Sequence, residues 1–551
     1  MNRPPRLTFS RGPRACGAII ALVLGLATIA FAVPAAHADT APPAGTPATA
    51  SADVLPTWQV NGVVWSTVTV GNTVYATGNF STARPPGVAA GGAGEVAAGN
   101  IFAFDITTGN RIASFNHTLN AQGLTVARSP DGSRVYVGGD FTSVDGVARN
   151  RIAAFDTATG ALVTAFYPKP YSQVAAIAAT NSTVYYGGTF NSVGGVARAR
   201  LAAANAADGA LTSWAPTADN QSVKAMVLAP DGSRVIVGGQ FTTLNGVAAY
   251  GMGSLSTSTG AVQPWAANTT IRAAGANGGI TSLRTDGTLI YGTAFAFGSG
   301  ASFEGPFGAN PSTGAITFLN DCHGDTYDSL PVGQVLYTVS HAHDCSAIHQ
   351  FPDTSPRVAH RALAFTTYAT GTNVGPDTYG WNYNGKPASS LLHWYPTLAA
   401  GTFTGQSQAA WALTGNSTYV VLGGEFPTVN GIAQSGLVRF AVSATAPNKV
   451  APQGATTLTP VPTAQGGGAV KVTWKATWDM DNQFLTYKVQ RDGASIVYTS
   501  PSTASSFWQL PDLSFTDTGL AVGSTHTYKV QAVDPFGNIK YTGASASVTV
   551  T

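Results

Sequence analysis

The sequence predicts an all-β fold: a seven-bladed β-propeller followed by an immunoglobulin-like β-sandwich. Three observations carry this expectation. A GG-x-F tetrapeptide stands at Gly138, Gly187, Gly238 and Gly423, with a weaker copy at Thr77-Gly78-Asn79-Phe80. A turn glycine closes successive units at Gly109, Gly160, Gly209, Gly260, Gly314 and Gly371, at intervals of 51, 49, 51, 54 and 57 residues. Short apolar strands sit before these turns as FAFD, AAFD, AAAN, GSLS, FGAN, LAFT and VRFA, which makes seven units. A repeat near 50 residues with only β signals inside it suits propeller blades of four short strands. A β-solenoid is the competing repeat architecture, but its rungs are usually shorter and lack these paired turn signals.

The clearest unit is Ser129 to Ala161. Asp131-Gly132 predicts a tight hairpin, because such turns need residues that tolerate positive φ. Val135 to Val137 is a β-branched and aromatic strand, Ile152 to Phe155 the next apolar run, and Asp156 to Gly160 a second turn. No single unit buries enough apolar surface alone, so the units must stack on one another.

In chain order, Met1–Ala38 reads as a secretion signal. Arg3, Arg6, Arg11 and Arg14 precede the apolar run Ala18–Val33, and Ala36-His37-Ala38 is an A-x-A cleavage site. The run is short for a membrane span, so no membrane span is expected after signal removal. Residues 39–53, rich in Ala, Pro, Thr and Gly, are expected to be a disordered lead-in. The propeller then covers 54–443, a Pro-rich linker 444–459, and the sandwich 460–551. Ring closure requires the segment near Val54–Val63 to pair with the last blade, which removes the exposed edge.

Charged residues make up only 10% of the chain and the net charge is +2. That leaves no electrostatic footprint for nucleic acid or an acidic membrane. Once the signal and Cys16 are gone, Cys322 and Cys345 remain, and an isolated pair in an oxidising compartment reads as one disulfide. A secreted, extracellular monomer is the expected product.

Blades five and six break the pattern. Thr293 to Gly298 stands where GG-x-F belongs, and blade six carries Asp321-Cys322-His323-Gly324-Asp325 and His341-Ala342-His343-Asp344-Cys345. Five of the eight histidines beyond the signal lie between His323 and His360. Alternate residues of a strand share a face, so His341 and His343 should point the same way, as should Asp321 and His323. A Cys322–Cys345 bridge would set the two pieces side by side. The cluster Asp321, His323, Asp325, His341, His343 and Asp344 is therefore a candidate polar site. Imidazole with carboxylate suits a divalent metal or general acid–base work, and equally a structural hydrogen-bond network. Further on, Trp381, Tyr383, Trp394 and Tyr395 lie among Asn, Gly and Asp. They are candidates to stack on a sugar ring, with packing between blades as the alternative.

The C-terminal segment resembles a bacterial fibronectin type III domain. The match rests on Trp474, Tyr487, the DTGL at Asp517–Leu520, Tyr528 as tyrosine corner, and Asp534-Pro535-Phe536-Gly537-Asn538. That resemblance implies a spacer without chemistry of its own. The repeats resemble secreted bacterial propeller proteins marked by GG-x-F-x-x-x-x-G-x-x-x-x-x-(L/I)-A, as at Gly138–Ala153 and Gly187–Ala202. The group implies fold and location, not activity. A fourth strand ending D-x-x-T-G is also similar to quinoprotein dehydrogenases, though the following tryptophan is not sustained: Phe115 and Phe166 stand where Trp214 and Trp265 do later. Two functions follow. One is an extracellular scaffold whose propeller face binds a glycan, a cell-wall component or a protein. The other is a carbohydrate-active enzyme, a glycosidase or lyase acting in polysaccharide degradation, with its site in blade six. Acidic candidates for the latter are Asp321, Asp325, Asp328 and Asp344, with Glu304 and Glu425 further off.

Overall fold

The computed structural model describes residues 39–219, 221–298, 300–454 and 458–551. The expected secretion signal lies outside them. Among the described residues, helix is confined to single turns at Ala267–Thr270 and Ser346–Ile348, and no helix is long and apolar enough to cross a membrane. Everything else regular is β, and almost all of it pairs antiparallel.

Besides a small three-stranded sheet of Gln59–Val60, Thr82–Arg84 and Val96–Ala97, seven larger antiparallel sheets of three or four strands follow one another from Val63 to Ala441 among the described residues. The second shows the plan. Gly123–Arg128, Arg134–Gly139 and Ile152–Asp156 pair in chain order, with Val126 opposite Val137 and Phe155 opposite Val135. The turn expected at Asp131-Gly132 is wider than a two-residue hairpin. Ser129 N–H donates to Arg134 O at 2.9 Å, and Asp131 Oδ1 accepts from Ser133 N–H at 3.0 Å. The carboxylate thus replaces strand pairing inside the turn.

The first strands of the sheets lie side by side in sequence order. That of the seventh, Ala410–Gly415, lies beside that of the first, Val63–Val70. Together they line a hollow of about 620 Å³, touched by Trp65, Thr125, Ala176, Lys224, Thr281, Asp328 and Trp411, one from each sheet.

The GG-x-F repeat has a steric cause. A Cβ on Gly138 would stand 2.6 Å from Val174 of the third sheet, and one on Gly187 2.6 Å from Val223 of the fourth. On Gly238 it would stand 2.7 Å from Ile280 of the fifth, and on Gly423 2.6 Å from Val64 of the first. The first glycine therefore admits the next sheet. The second admits a carbonyl of its own sheet, as Gly139 does Gln122 O at 2.3 Å. Phe141, Phe190, Phe241 and Phe426 are then fully buried anchors. Gly238→Ala is expected to cost about 1–3 kcal/mol through overpacking, read as a lower urea midpoint. Gly371→Ala, with ordinary φ and open space around it, should leave the midpoint unchanged. Equal midpoints for the two variants would refute this account of the repeat.

Residues 39–53 are not a disordered lead-in. Asp39, Ala50, Ser51 and Ala52 are fully buried. Ala50 and Leu55 bridge Val442 and Arg439 at the edge of the seventh sheet. Asp481 Oδ2 accepts from Ser51 Oγ at 2.9 Å and from Ala52 N–H at 2.6 Å. A composition poor in large apolar residues hid this, because the segment is held by backbone pairing and carboxylate bonds. The pairing of the chain start with the last sheet begins before Val54, earlier than expected.

The C-terminal residues form two main antiparallel sheets. One pairs Val461–Gly466, Ala469–Lys475 and Asp512–Asp517; the other contains Phe484–Arg491 and Tyr528–Val533. Trp474, Leu485, Tyr487, Tyr528 and Val530 fill the core between them. Tyr528 Oη donates to the Asp517 carboxylate at 3.0 Å, rather than to the upstream backbone that a tyrosine corner uses. These sheets dock on the sixth sheet's outer segment: Tyr395 N–H donates to Met480 O and His393 Nε2 to Asp479 O, both at 2.8 Å.

Candidate functional site

The hollow nearest the expected cluster, about 680 Å³, opens where the GG-x-F closure is missing. Ala296 and Phe297 line it from the fifth sheet, and His341 and His343 from the sixth. Glu304 and Asp325 reach in just ahead of the strands Gly305–Ala309 and Thr326–Val332. Tyr379 and Trp381, from the long loop after Gly371–Thr372, form the wall, with Arg357 at the rim.

Backbone pairing and a cross-link hold the two polar pieces together. Cys322 and Cys345 form a disulfide. His323 N–H donates to Asp344 O at 2.7 Å, and His343 N–H to His323 O at 2.8 Å. The imidazoles of His341 and His343 lie nearly parallel, 6.4 Å apart, both facing the hollow.

His323 is almost completely buried, with Tyr379 at 4.4 Å and Trp381 at 5.3 Å between ring centres. Its Nε2 lies 2.8 Å from Asp377 Oδ2 and its Nδ1 3.4 Å from Glu304 Oε2. Neither approach has hydrogen-bond alignment, so the carboxylates meet the ring as ion pairs and not as hydrogen bonds. Burial alone would lower the pKa of His323, but Glu304, Asp321 and Asp377 outweigh it and hold it above the ordinary value. Asp377 Oδ1 accepts from the N–H groups of Tyr379 and Trp381 at 2.9 and 2.7 Å, which fixes the carboxylate and leaves Oδ2 facing His323.

Asp321 is fully buried and neither carboxylate oxygen has a partner. Burial pushes its carboxyl up to about 7; His323 opposes the rise, while Asp377, Glu304 and Asp344 add to it. Burial and neighbouring Glu304 likewise push Asp325 up to about 7. His341 Nδ1 lies 2.9 Å from Tyr327 Oη, and burial holds this imidazole down at about 4. Burial and the Arg357 charge lower His343.

The expected residues thus divide. Asp325, His341 and His343 face the hollow, and Asp321 and His323 lie behind the Tyr379–Trp381 wall. Asp321, His323 and Asp377 each bring one ligand atom within 4.8 Å of the others and could hold a metal ion. Asp344 does not join them, because its Oδ1 accepts from Ser346 N–H at 2.9 Å and caps the following turn. Asp328 is also spent, paired with Arg284 at 2.6 Å.

Of the four aromatics expected to stack on a ligand, the hollow has only Trp381. Tyr383 is buried, its Oη donating to Ser302 O at 2.6 Å. Trp394 is fully buried against Tyr337 and Phe440, and Tyr395 packs on Phe507 and Trp508, in a turn of the C-terminal residues. Asp377 was missed as a site residue, although an Asp two and four positions before two aromatics is a turn signal that leaves one oxygen spare. Glu304, expected only as a more distant acidic candidate, lines the hollow itself.

No protein-family profile matches the chain, and no curated protein matches it. Among solved structures, an oligogalacturonate lyase in complex with manganese is 11% identical, over 71% of this chain and 92% of that one, with a TM-score of 0.37. The dihydro-heme d1 dehydrogenase NirN is 12% identical, over 81% of this chain and 74% of that one, at 0.30. An oligogalacturonate lyase from Vibrio parahaemolyticus is 11% identical, over 72% and 93%, at 0.27. Likeness this loose assigns neither activity nor ligand to this chain.

Proposed function

We propose that this protein is a secreted binding module: a seven-bladed β-propeller with a C-terminal fibronectin type III domain, whose hollow at the fifth and sixth blades takes a glycan. The closed succession of seven sheets and the glycines that admit each neighbour support the propeller. The two packed sheets around Trp474 and Tyr528 support the second domain. One observation carries the ligand: the hollow joins an aromatic wall, Tyr379 and Trp381, to hydrogen-bonding groups from Glu304, Asp325, His341 and His343. Aromatic faces suit the apolar side of a sugar ring, and the polar groups suit its hydroxyls. Its volume lies within the range of ligand sites.

Residues 39–551 incubated with a panel of insoluble polysaccharides and cell walls, then sedimented, test the reading. Retention on at least one glycan is expected, with at least about tenfold weaker retention for Trp381→Ala, equivalent to 1.4 kcal/mol. Retention on none, or equal retention by the variant, would overturn it. A carbohydrate-active enzyme is the second reading, favoured by the carboxyls of Glu304 and Asp325 lining one hollow. New sugar ends in the supernatant, lost in Asp325→Asn, would establish it.

A further inference from the structure

We propose that Asp321, His323 and Asp377 bind one divalent transition-metal ion of the zinc or manganese class, behind the aromatic wall of the hollow. The inference goes beyond glycan binding and stands whether or not the hollow takes a sugar. Three ligand atoms, one from each residue, lie within 4.8 Å of one another. Proximity of acidic groups alone would not suffice, since such clusters are common.

The second observation is what these atoms lack. Both oxygens of Asp321 are buried without any partner, while His323 Nε2 and Asp377 Oδ2, 2.8 Å apart, and His323 Nδ1 and Glu304 Oε2, 3.4 Å apart, approach each other without hydrogen-bond alignment. Asp321 is fully buried and His323 is 2% exposed. Buried polar atoms in proteins are nearly always satisfied, so a fully buried carboxylate with two unpartnered oxygens, set beside an imidazole and a second carboxylate, calls for a missing partner. A cation satisfies carboxylate oxygens and an imidazole nitrogen together; a water could not serve all of them.

The surroundings are built to hold the ligands still. Asp377 is oriented by the N–H groups of Tyr379 and Trp381. Asp321 N–H donates to Asn373 Oδ1 at 3.2 Å, and Asn373 Nδ2 to Leu319 O at 2.9 Å. His323 is fixed through its backbone to Asp344 and His343, beside the disulfide. Such outer contacts are what orient metal ligands.

Chemistry narrows the ion. One imidazole with two carboxylates suits zinc or manganese, whereas calcium and magnesium prefer all-oxygen shells. The nearby sulfurs are consumed in the disulfide, which removes thiolate-dependent ions. The metal would tie the loop bearing Tyr379 and Trp381 to the sixth sheet.

The test strips the purified protein with a chelator and dialyses it against Zn²⁺ or Mn²⁺, with bound metal counted by mass spectrometry. One equivalent is expected in the wild type and in Asp344→Asn, and none in His323→Gln or Asp377→Asn. Metal should raise the thermal midpoint of the wild type and leave those of the two ligand variants unmoved. Wild type that takes up neither ion overturns the site, as does uptake by folded ligand variants. Should the variants misfold, an anomalous-scattering peak in metal-soaked wild-type crystals decides. A peak about 2.0–2.2 Å from His323 and the two carboxylates upholds the site, and a peak elsewhere overturns it. Glycan retention is scored separately, so failure of either proposal leaves the other standing.

Discussion

Arg439→Leu is expected to destabilise the protein by about 3 kcal/mol or more, the largest effect of any single substitution proposed. Arg439 lies on Leu437–Ala441, the third strand of the seventh sheet, and is 2% exposed. Its guanidinium donates to Thr57 Oγ1 at 3.2 Å, to Pro56 O at 2.7 Å and to Ile106 O. One side chain thus joins the entry segment, the turn of the first sheet and the last sheet. Burial lowers its pKa to about 10, so it stays charged at neutral pH. Leucine would strand the carbonyls of Pro56 and Ile106, each costing about 1–3 kcal/mol if left unmet, while Thr57 Oγ1 would keep its bond to Leu55 O. The check is urea unfolding, together with limited proteolysis at residues 39–58. A variant that unfolds with the wild type and resists cleavage there would show that closure does not depend on this residue.

Acid should unfold the wild type more readily than His360→Phe. His360 lies at the start of His360–Thr366 and packs in one aromatic group with Phe351 at 4.7 Å and Phe507 at 4.1 Å, the latter from a turn of the C-terminal residues. Burial first, and the Arg361 charge second, push its pKa from 6.5 down to about 4. Above pH 6.5 the ring is neutral in both states and its titration costs nothing. Between 6.5 and 4 only the unfolded chain takes up the proton, so stability falls as pH falls. At pH 4.5 the loss is about 2–3 kcal/mol, at 1.4 kcal/mol per pH unit. Buried Asp39, pushed up to about 6, acts in the opposite sense, but equally in both proteins. The comparison is the stability difference at pH 7 against pH 4.5. Parallel loss in the two proteins would mean that His360 titrates normally.

How much was legible follows from how local each cause is. The repeat was readable because each GG-x-F answers one recurring steric demand, repeated at Gly138, Gly187, Gly238 and Gly423. The site was located by where the repeat fails, at Thr293–Gly298 and His341–His343, and by histidines concentrated there. Its membership was only half visible. Asp321 and His323 are neighbours in sequence, but their third companion, Asp377, lies 54 residues past His323 and sits among aromatics that look like the main feature. Tyr383, Trp394 and Tyr395 could not be told from Trp381, because a buried aromatic and a ligand-facing one leave the same mark in a sequence. Residues 39–53 were misjudged for a related reason. Their partners, Asp481 and Val442, lie some 400 positions away.

That last pairing bears on how the molecule is made. Thr40 Oγ1 meets Asn482 Oδ1 across 442 positions, and Leu55 N–H meets Arg439 O. The residues synthesised first among those described must therefore wait for nearly the last. Contacts of such separation form slowly, since the whole intervening loop must close first. A chain cut short after the seventh sheet would keep the bridges to Val442 and Arg439, yet Ser51 and Ala52 would face no carboxylate from Asp481. Residues 39–55 are thus fastened in two stages, first to the edge of the seventh sheet and later to the segment at Asp481.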